Sequence, residues 1–172
     1  VEHQVIQRDS GNVAWVEMKV TTSLPVSKNG PLEYRLDKNR SWENANGEWK
    51  DERFVARLRV RAGGWHTLEV RDSRTPDHRS EVVQFGVGEV FVVAGQSNSG
   101  NYGEIKQSTK TGLVSAFDFD NKKWQLAIDP QPGAGGRGGS IMPLLGDALS
   151  EKLNLPIGII AYGQGGTSCL LY

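Results

Sequence analysis

A change of hydrophobic period near residue 87 constrains the fold of this chain more than any other feature. Before it, apolar residues alternate with polar ones. Ala14, Val16, Met18 and Val20 interleave with Trp15, Glu17, Lys19 and Thr21, and Phe54, Ala56, Leu58 and Val60 interleave with Val55, Arg57, Arg59 and Arg61. Period two marks strands with one face in a core and one in water. After the change, residues 90–94 form an unbroken apolar run, rich in β-branched side chains and too short for a buried helix. Such a run reads as a strand buried on both faces, the habit of a parallel sheet. The chain therefore predicts a β-sandwich over residues 1–87 and the start of an α/β parallel-sheet domain over residues 88–172.

Within the first part, Pro25, Asn29, Gly30 and Pro31 mark a turn, and Leu32, Tyr34 and Leu36 mark another alternating strand. Residues 38–52 read as a long loop or a hairpin edge. Ala62, Gly63 and Gly64 predict a tight turn joining strands 54–60 and 65–70 in a hairpin. Residues 72–80 read as an exposed connection, and residues 81–86 as the last sandwich strand. The row Arg57, Arg59, Arg61 is a binding stripe or, preferably, a solvated sheet face. Trp42, Trp49 and Trp65 are either a sugar-stacking platform or ordinary packing; packing is preferred because no spacing picks out one face.

In the second part Gly95 ends the apolar run, and Gln96, Ser97, Asn98, Ser99, Gly100 and Asn101 follow. Ligands of open α/β sheets bind just outside the carboxyl ends of strands. Ser97 stands at such an end, beside a glycine that lets the backbone turn sharply, which suits a nucleophile as well as it suits a plain polar turn. Residues 113–118 read as a short strand. The glycine-rich stretch 133–139 fits neither the Walker pattern nor the dinucleotide pattern. Ser140 reads as a helix N-cap, with Pro143 in the first turn. Leu144, Leu145, Ala148, Leu149 and Leu153 share one helical face, and Asn154 and Pro156 end the helix. Residues 157–161 then predict a second buried strand, giving strand–helix–strand logic.

Gly95-Gln96-Ser97-Asn98 after a valine-rich strand resembles the first motif of the SGNH-hydrolase superfamily. It is most similar to the branch of sialate O-acetylesterases and acetyl-xylan esterases, where Gly-Gln-Ser-Asn replaces Gly-Asp-Ser. Trp124, Ala127, Asp129 and Pro130 resemble a second segment of that branch, and Gly165-Gly166-Thr167 resembles a loop beside its active site. Ser99 stands where the branch usually has methionine. The resemblance implies a flavodoxin-like catalytic domain preceded by a β-sandwich. It implies that Ser97 is the nucleophile and that its N–H helps bind the oxyanion, with Gly139, or Gly138, as a second donor. It places Gln96, Asn98, Gly165, Gly166 and Thr167 by the substrate, an acetylated carbohydrate, and favours a periplasmic or extracellular location.

Lys plus Arg and Asp plus Glu are 20 each, so the net charge is zero, without the basic excess that a nucleic-acid or charged-membrane partner calls for. No apolar run is long enough to span a bilayer. The single cysteine, Cys169, permits no internal disulfide and reads as a buried small side chain. No His/Cys/carboxylate cluster has ligand spacing, so no metal or organic cofactor is implied. A serine nucleophile needs a general base. His3, His66 and His78 all precede Ser97, and the Asp-x-x-His and Gln-Gly-Glu motifs of the resembled branch are absent. The expectation is that this chain is part of an enzyme and inactive alone, with Asp-x-x-His supplied by a second polypeptide or a further C-terminal segment. Two alternatives remain: a non-catalytic carbohydrate-binding or adhesion module, and an esterase of another acyl substrate such as a small lipid ester.

Overall fold

A computed structural model of the chain describes residues 1–21, 31–38, 40–50, 52–80 and 83–166. Strands dominate. In chain order they are β1 (Gln4–Gln7), β2 (Val13–Thr21), β3 (Leu32–Leu36), β4 (Glu43–Asn44), β5 (Gly47–Lys50), β6 (Arg53–Arg61), β7 (Gly63–Asp72), β8 (Thr75–Arg79) and β9 (Val83–Gly95). A 3₁₀ turn at Ser97–Ser99 follows, then β10 (Val114–Asp118), β11 (Lys123–Leu126), helix α1 (Met142–Leu153) and β12 (Ile157–Gly163). Among the described residues one sheet has nine strands, ordered β11-β10-β12-β9-β7-β3-β4, with β1 paired to β9 and β8 to β7; the other has three, ordered β2-β6-β5. The architecture is thus rich in sheet, both mixed and antiparallel, with little helix.

The three-stranded sheet follows the alternation closely. Ala14, Val16 and Met18 of β2 and Phe54, Ala56, Leu58 and Val60 of β6 are buried against Leu32, Val70, Phe85 and Val87 of the larger sheet. Arg57, Arg59 and Arg61 lie on the opposite, exposed face, with Arg57 across from Glu17. The expected hairpin at residues 62–64 is not one. Strand β6 pairs with β2 and β5, whereas β7 pairs with β3, β8 and β9, so the chain passes from one layer to the other at this corner. The reason is the shared core: the buried faces of β6 and β7 meet across two layers, which pairing side by side in one sheet would prevent. The stretch 38–52 contributes the short strands β4 and β5, and the charged connection 72–80 contains β8, paired to β7.

Strand β9 runs through the change of period without a break. Over residues 83–88 it pairs antiparallel with β7 and parallel with β1; over residues 89–95 it pairs parallel with β12. Glu89, at the exchange of partners, accepts hydrogen bonds from Gln7 Nε2 and Arg8 Nε, both at 2.7 Å, which clip β1 to it. Trp65 Nε1 donates to the Gly112 carbonyl at 2.8 Å, and His3 meets the Trp65 ring edge-on. Gly88 is needed here because a Cβ would stand 1.9 Å from the Pro156 carbonyl oxygen.

A second core forms from Val114 and Ala116 of β10, Met142 of α1, and Ile157, Ile159 and Ala161 of β12. Two expectations are corrected around it. The run 90–94 is a parallel strand as expected, but it is not buried on both faces: Val92 is 67% exposed and Phe91 38%. Among the described residues only β12 pairs with positions 89–95, and Val92's face has no covering layer. Helix α1 also turns the other way. Met142, Pro143, Gly146, Asp147 and Ser150 are buried, while Leu144, Leu145, Ala148 and Leu153 are exposed; of the expected face only Leu149, half-buried, packs against the core. Gly146 lets the helix press onto β10, since a Cβ there would lie 2.4 Å from Val114 Cγ1. Pro143 sits in the first turn and Asn154 takes the left-handed C-cap as expected. Ile141, already helical in its dihedrals, directly precedes the helix, and Ser140 Oγ accepts the Met142 N–H at 3.2 Å, the bond expected of a capping serine.

Candidate active site

The turn carrying Ser97 is built on two glycines. Gly95 has φ +153°, and a Cβ there would meet Ser99 Oγ at 2.3 Å. Gly163, at the end of β12, allows the Ser99 carbonyl to approach; a Cβ would stand 2.5 Å from that oxygen. The 3₁₀ turn is closed by Ser99 N–H to Gln96 O at 2.9 Å and Gly100 N–H to Ser97 O at 3.0 Å. Gln96, Ser97 and Asn98 are exposed. Among the described residues, none accepts the Ser97 N–H or hydrogen-bonds the Ser97 hydroxyl. The side chain therefore stands open at the carboxyl end of a parallel strand, with an unspent amide on the same residue.

Two buried polar residues lock the surrounding loops. Asn101, 1% exposed, donates through Nδ2 to the carbonyls of Gln131 and Ala134, each at 3.0 Å, and accepts the Gln131 N–H at 2.7 Å. Its backbone donates to Gly135 O at 2.8 Å and accepts the Gly138 N–H at 2.7 Å. Asp129 accepts the N–H of Gln107 at 2.9 Å, the N–H and Oγ–H of Ser140 at 2.7 Å each, and Gln131 Nε2 at 3.0 Å. Gly103 and Gly139 form a reciprocal backbone bridge. These ties bring Ser97, Asn98, Gly139 and Ser140 to one cleft of about 760 Å³, lined also by Tyr102, Ile105, Ile141, Leu144 and Leu145.

Helix α1, which forms one wall, is anchored by Asp147. Its carboxylate accepts from Thr109 Oγ1 at 2.7 Å, Lys110 N–H at 2.8 Å, Thr111 Oγ1 at 2.7 Å and Thr111 N–H at 3.2 Å. Burial works to raise its pKa, but these donors together outweigh burial and hold it below the ordinary carboxylate value.

The expected site residues divide as follows. Ser97, Asn98 and Gly139 line the cleft; Gln96 and Gly138 flank it in sequence. The amide N–H groups of Gly139 and Gly138 are both engaged inside the chain, by the carbonyls of Gly103 and Asn101. Gly165 lies against the cleft wall: a Cβ there would be 2.5 Å from the Tyr102 hydroxyl. Gly166 has φ +75° in the turn that follows β12. Thr167 and Cys169 lie outside the described residues. His66 is held by Asp37 Oδ2 at 3.3 Å and the Arg61 carbonyl at 3.0 Å, and His3 packs edge-on against Trp65; neither lines the cleft of Ser97. The guanidinium groups of Arg35 and Arg71 both lie over the Trp42 ring at the large sheet, Trp49 packs on Phe54 of the small one, and Trp65 is in the junction, so the three share no platform.

Among the described residues no three His, Cys, Asp or Glu side chains gather closely enough to hold a metal ion, and no helix is long and apolar enough to cross a membrane. The locking pair Asn101–Asp129 was not marked as functional from sequence. A polar residue just past the serine cluster and an aspartate before proline were its only signals.

No protein-family model matches the chain, and no curated protein matches it. Among solved structures, the chain is similar to a carbohydrate acetylesterase from Xanthomonas citri, with a TM-score of 0.53 and 18% sequence identity. The match covers 95% of this chain and 38% of that one, so the chain spans well under half of the protein it resembles. At this identity the likeness is one of fold.

Proposed function

We propose that this chain is the serine-bearing part of a carbohydrate O-acetyl esterase of the SGNH type, with residues 1–87 as a β-sandwich domain and residues 88–172 as the first part of the hydrolase domain. The observation that carries the reading is the placement of Ser97: exposed, at the carboxyl end of a parallel strand, on a 3₁₀ turn, and lining one cleft together with Gly139. The likeness of fold to a carbohydrate acetylesterase supports the same reading.

In this reading Ser97 Oγ attacks the acetyl carbonyl while a histidine of an Asp-x-x-His segment, outside this chain, removes the hydroxyl proton. The tetrahedral intermediate collapses with release of the sugar hydroxyl, which takes that proton, and leaves acetyl on Ser97. Water, deprotonated by the same histidine, then releases acetate and restores the serine. The free Ser97 N–H is the first oxyanion donor. Gly139, or Gly138, becomes the second only when its N–H leaves the carbonyl it now serves. One such donor is worth about 3 kcal/mol in the transition state. Gln96, Asn98, Gly165, Gly166 and Thr167 border the sugar. The test is acetate release from acetylated xylan and O-acetyl sialic acid. The 172-residue chain alone should release none above background, and the chain completed by a segment carrying Asp-x-x-His should release it catalytically; activity of the chain alone would overturn the division of the triad.

A further inference from the structure

Beside Ser97, three residues that line the cleft are held in place and still have an unspent surface: Tyr102, Gln107 and Asn98. Tyr102 lies against glycine backbone on one flank. A Cβ at Gly100 would stand 3.0 Å from its Cε2, and Cβ atoms at Gly165 and Gly135 would stand 2.5 and 3.1 Å from its hydroxyl. The rest of the side chain, 54% exposed, is open. An aromatic ring backed in this way is a rigid stacking surface that costs little entropy to order. Gln107 is clamped through its backbone: its N–H donates to Asp129 Oδ2 at 2.9 Å and its carbonyl accepts the Asp129 N–H at 2.8 Å. Among the described residues neither its side-chain amide nor that of Asn98 has a hydrogen-bond partner, so each keeps both donors and an acceptor for a ligand. Among the described residues no charged side chain lines the cleft. The charge behind its wall is negative, since Asp129 accepts from Gln107 and Ser140. An anionic sugar placed there would lose water without gaining a cation, which is costly.

We infer that Tyr102, Gln107 and Asn98 form the sugar subsite of the cleft, and that the sugar it takes is neutral, an acetylated pentose or hexose without a carboxylate. One C–H face of the ring stacks on Tyr102, and its hydroxyls meet the amides of Gln107 and Asn98. The acetyl methyl and the remaining ring carbons lie toward Leu144 and Leu145, which line the same cleft. Of the sugars in question, acetylated xylose fits this chemistry and sialic acid does not. The inference rests on the esterase reading of the cleft for its catalytic meaning, but the subsite is a binding property that is tested without catalysis.

The experiment titrates the full 172-residue chain with a methyl glucoside carrying one acetyl ester and, separately, with the matching methyl glucuronide, which differs only in its carboxylate. Side-chain amide and aromatic-ring chemical shifts report binding. Saturable shifts are expected with the glucoside at the Gln107 and Asn98 amides and the Tyr102 ring, and the glucuronide should bind at least fivefold more weakly. A ring contact and a hydrogen bond are each worth about fivefold in affinity, so Tyr102→Ala and Gln107→Ala should each weaken glucoside binding by about that much. Tyr102→Phe should keep the stacking, and Gln107→Ala leaves the backbone clamp to Asp129 in place, so the fold is preserved in both. The inference is overturned if the glucoside gives no saturable shifts at these residues, if the glucuronide binds as well, or if Gln107→Ala binds the glucoside as the parent does. Glucoside binding joined to unchanged acetate release by Ser97→Ala in the completed enzyme would instead overturn the catalytic reading and leave the subsite standing.

Discussion

Gly103 and Gly139 exchange both backbone hydrogen bonds, at 2.9 and 2.8 Å, and so tie the loop after Ser97 to the loop before α1. The pairing gives the cleft its shape and holds the Gly139 amide away from it. For Gly139 to serve as an oxyanion donor, as proposed, this bridge would have to open.

Gly139→Ala tests that bridge. A Cβ would stand 1.8 Å from the Ile105 carbonyl oxygen and 2.5 Å from its carbon, so one strand of the bridge must move. Overpacking of this kind costs about 1–3 kcal/mol. The expected result is a lower denaturation midpoint together with lost exchange protection at the Gly103 amide. Full protection at Gly103 would show that the loops are not joined as described.

Asp129→Ala leaves four donors without an acceptor: two N–H groups, the Ser140 hydroxyl and the Gln131 side-chain amide. Stranded buried donors cost about 1–3 kcal/mol each when water cannot reach them. A loss of ~3 kcal/mol or more in urea unfolding is expected, with Asp129→Asn recovering part of it. A change under ~0.5 kcal/mol would remove Asp129 from its place in the lock.

The acid side of the stability curve should carry the mark of Asp147 and Glu89. Both carboxyls sit below their ordinary values. In Asp147 the Lys110, Thr109 and Thr111 hydrogen bonds overcome burial; in Glu89 the Gln7 amide leads, burial opposes it, and Arg8 adds to the lowering. A carboxyl lowered by folding gives stability that is complete above its unfolded value and lost as pH falls through its folded one. Stability should therefore hold at neutral pH and decline below the usual carboxylate range. Asp147→Asn should cost about 2 kcal/mol at pH 7 and flatten the acid decline. An unchanged slope in that variant would place the acid sensitivity elsewhere.

Helix α1 offers a paired test of its orientation. Gly146→Ala brings a Cβ to 2.4 Å from Val114 Cγ1 and should destabilise by about 1–3 kcal/mol. Leu145→Ser, at an exposed position, should change stability by no more than ~0.5 kcal/mol. The reverse ranking in thermal unfolding would mean that the leucine face is the buried one.

The sequence pattern revealed the strands more readily than their partners. Alternation marked β2 and β6 because each has one wet face, and the apolar stretch 157–161 marked β12 because Ile157, Ile159 and Ala161 enter a core. Pairing across layers was hidden at residues 62–64, because a glycine corner between sheets and a hairpin turn use the same residues. The face of α1 was hidden for a different reason. Close approach to β10 needs small side chains, so Gly146 and Ser150 are buried while Leu144, Leu145 and Leu153 are exposed and only Leu149 packs on the core. At the site, Ser97 and Gly139 were legible as positions, but the occupied amides of Gly138 and Gly139 depend on carbonyls more than thirty residues away.

In the proposed reaction Ser97 is the group that takes the acyl. The most direct test of this role is acetate release from an acetylated carbohydrate by the chain completed with an Asp-x-x-His segment, compared with the same assembly carrying Ser97→Ala. Ser97→Ala should lower turnover at least about a thousandfold with the fold preserved. Equal acetate release by the two would contradict it.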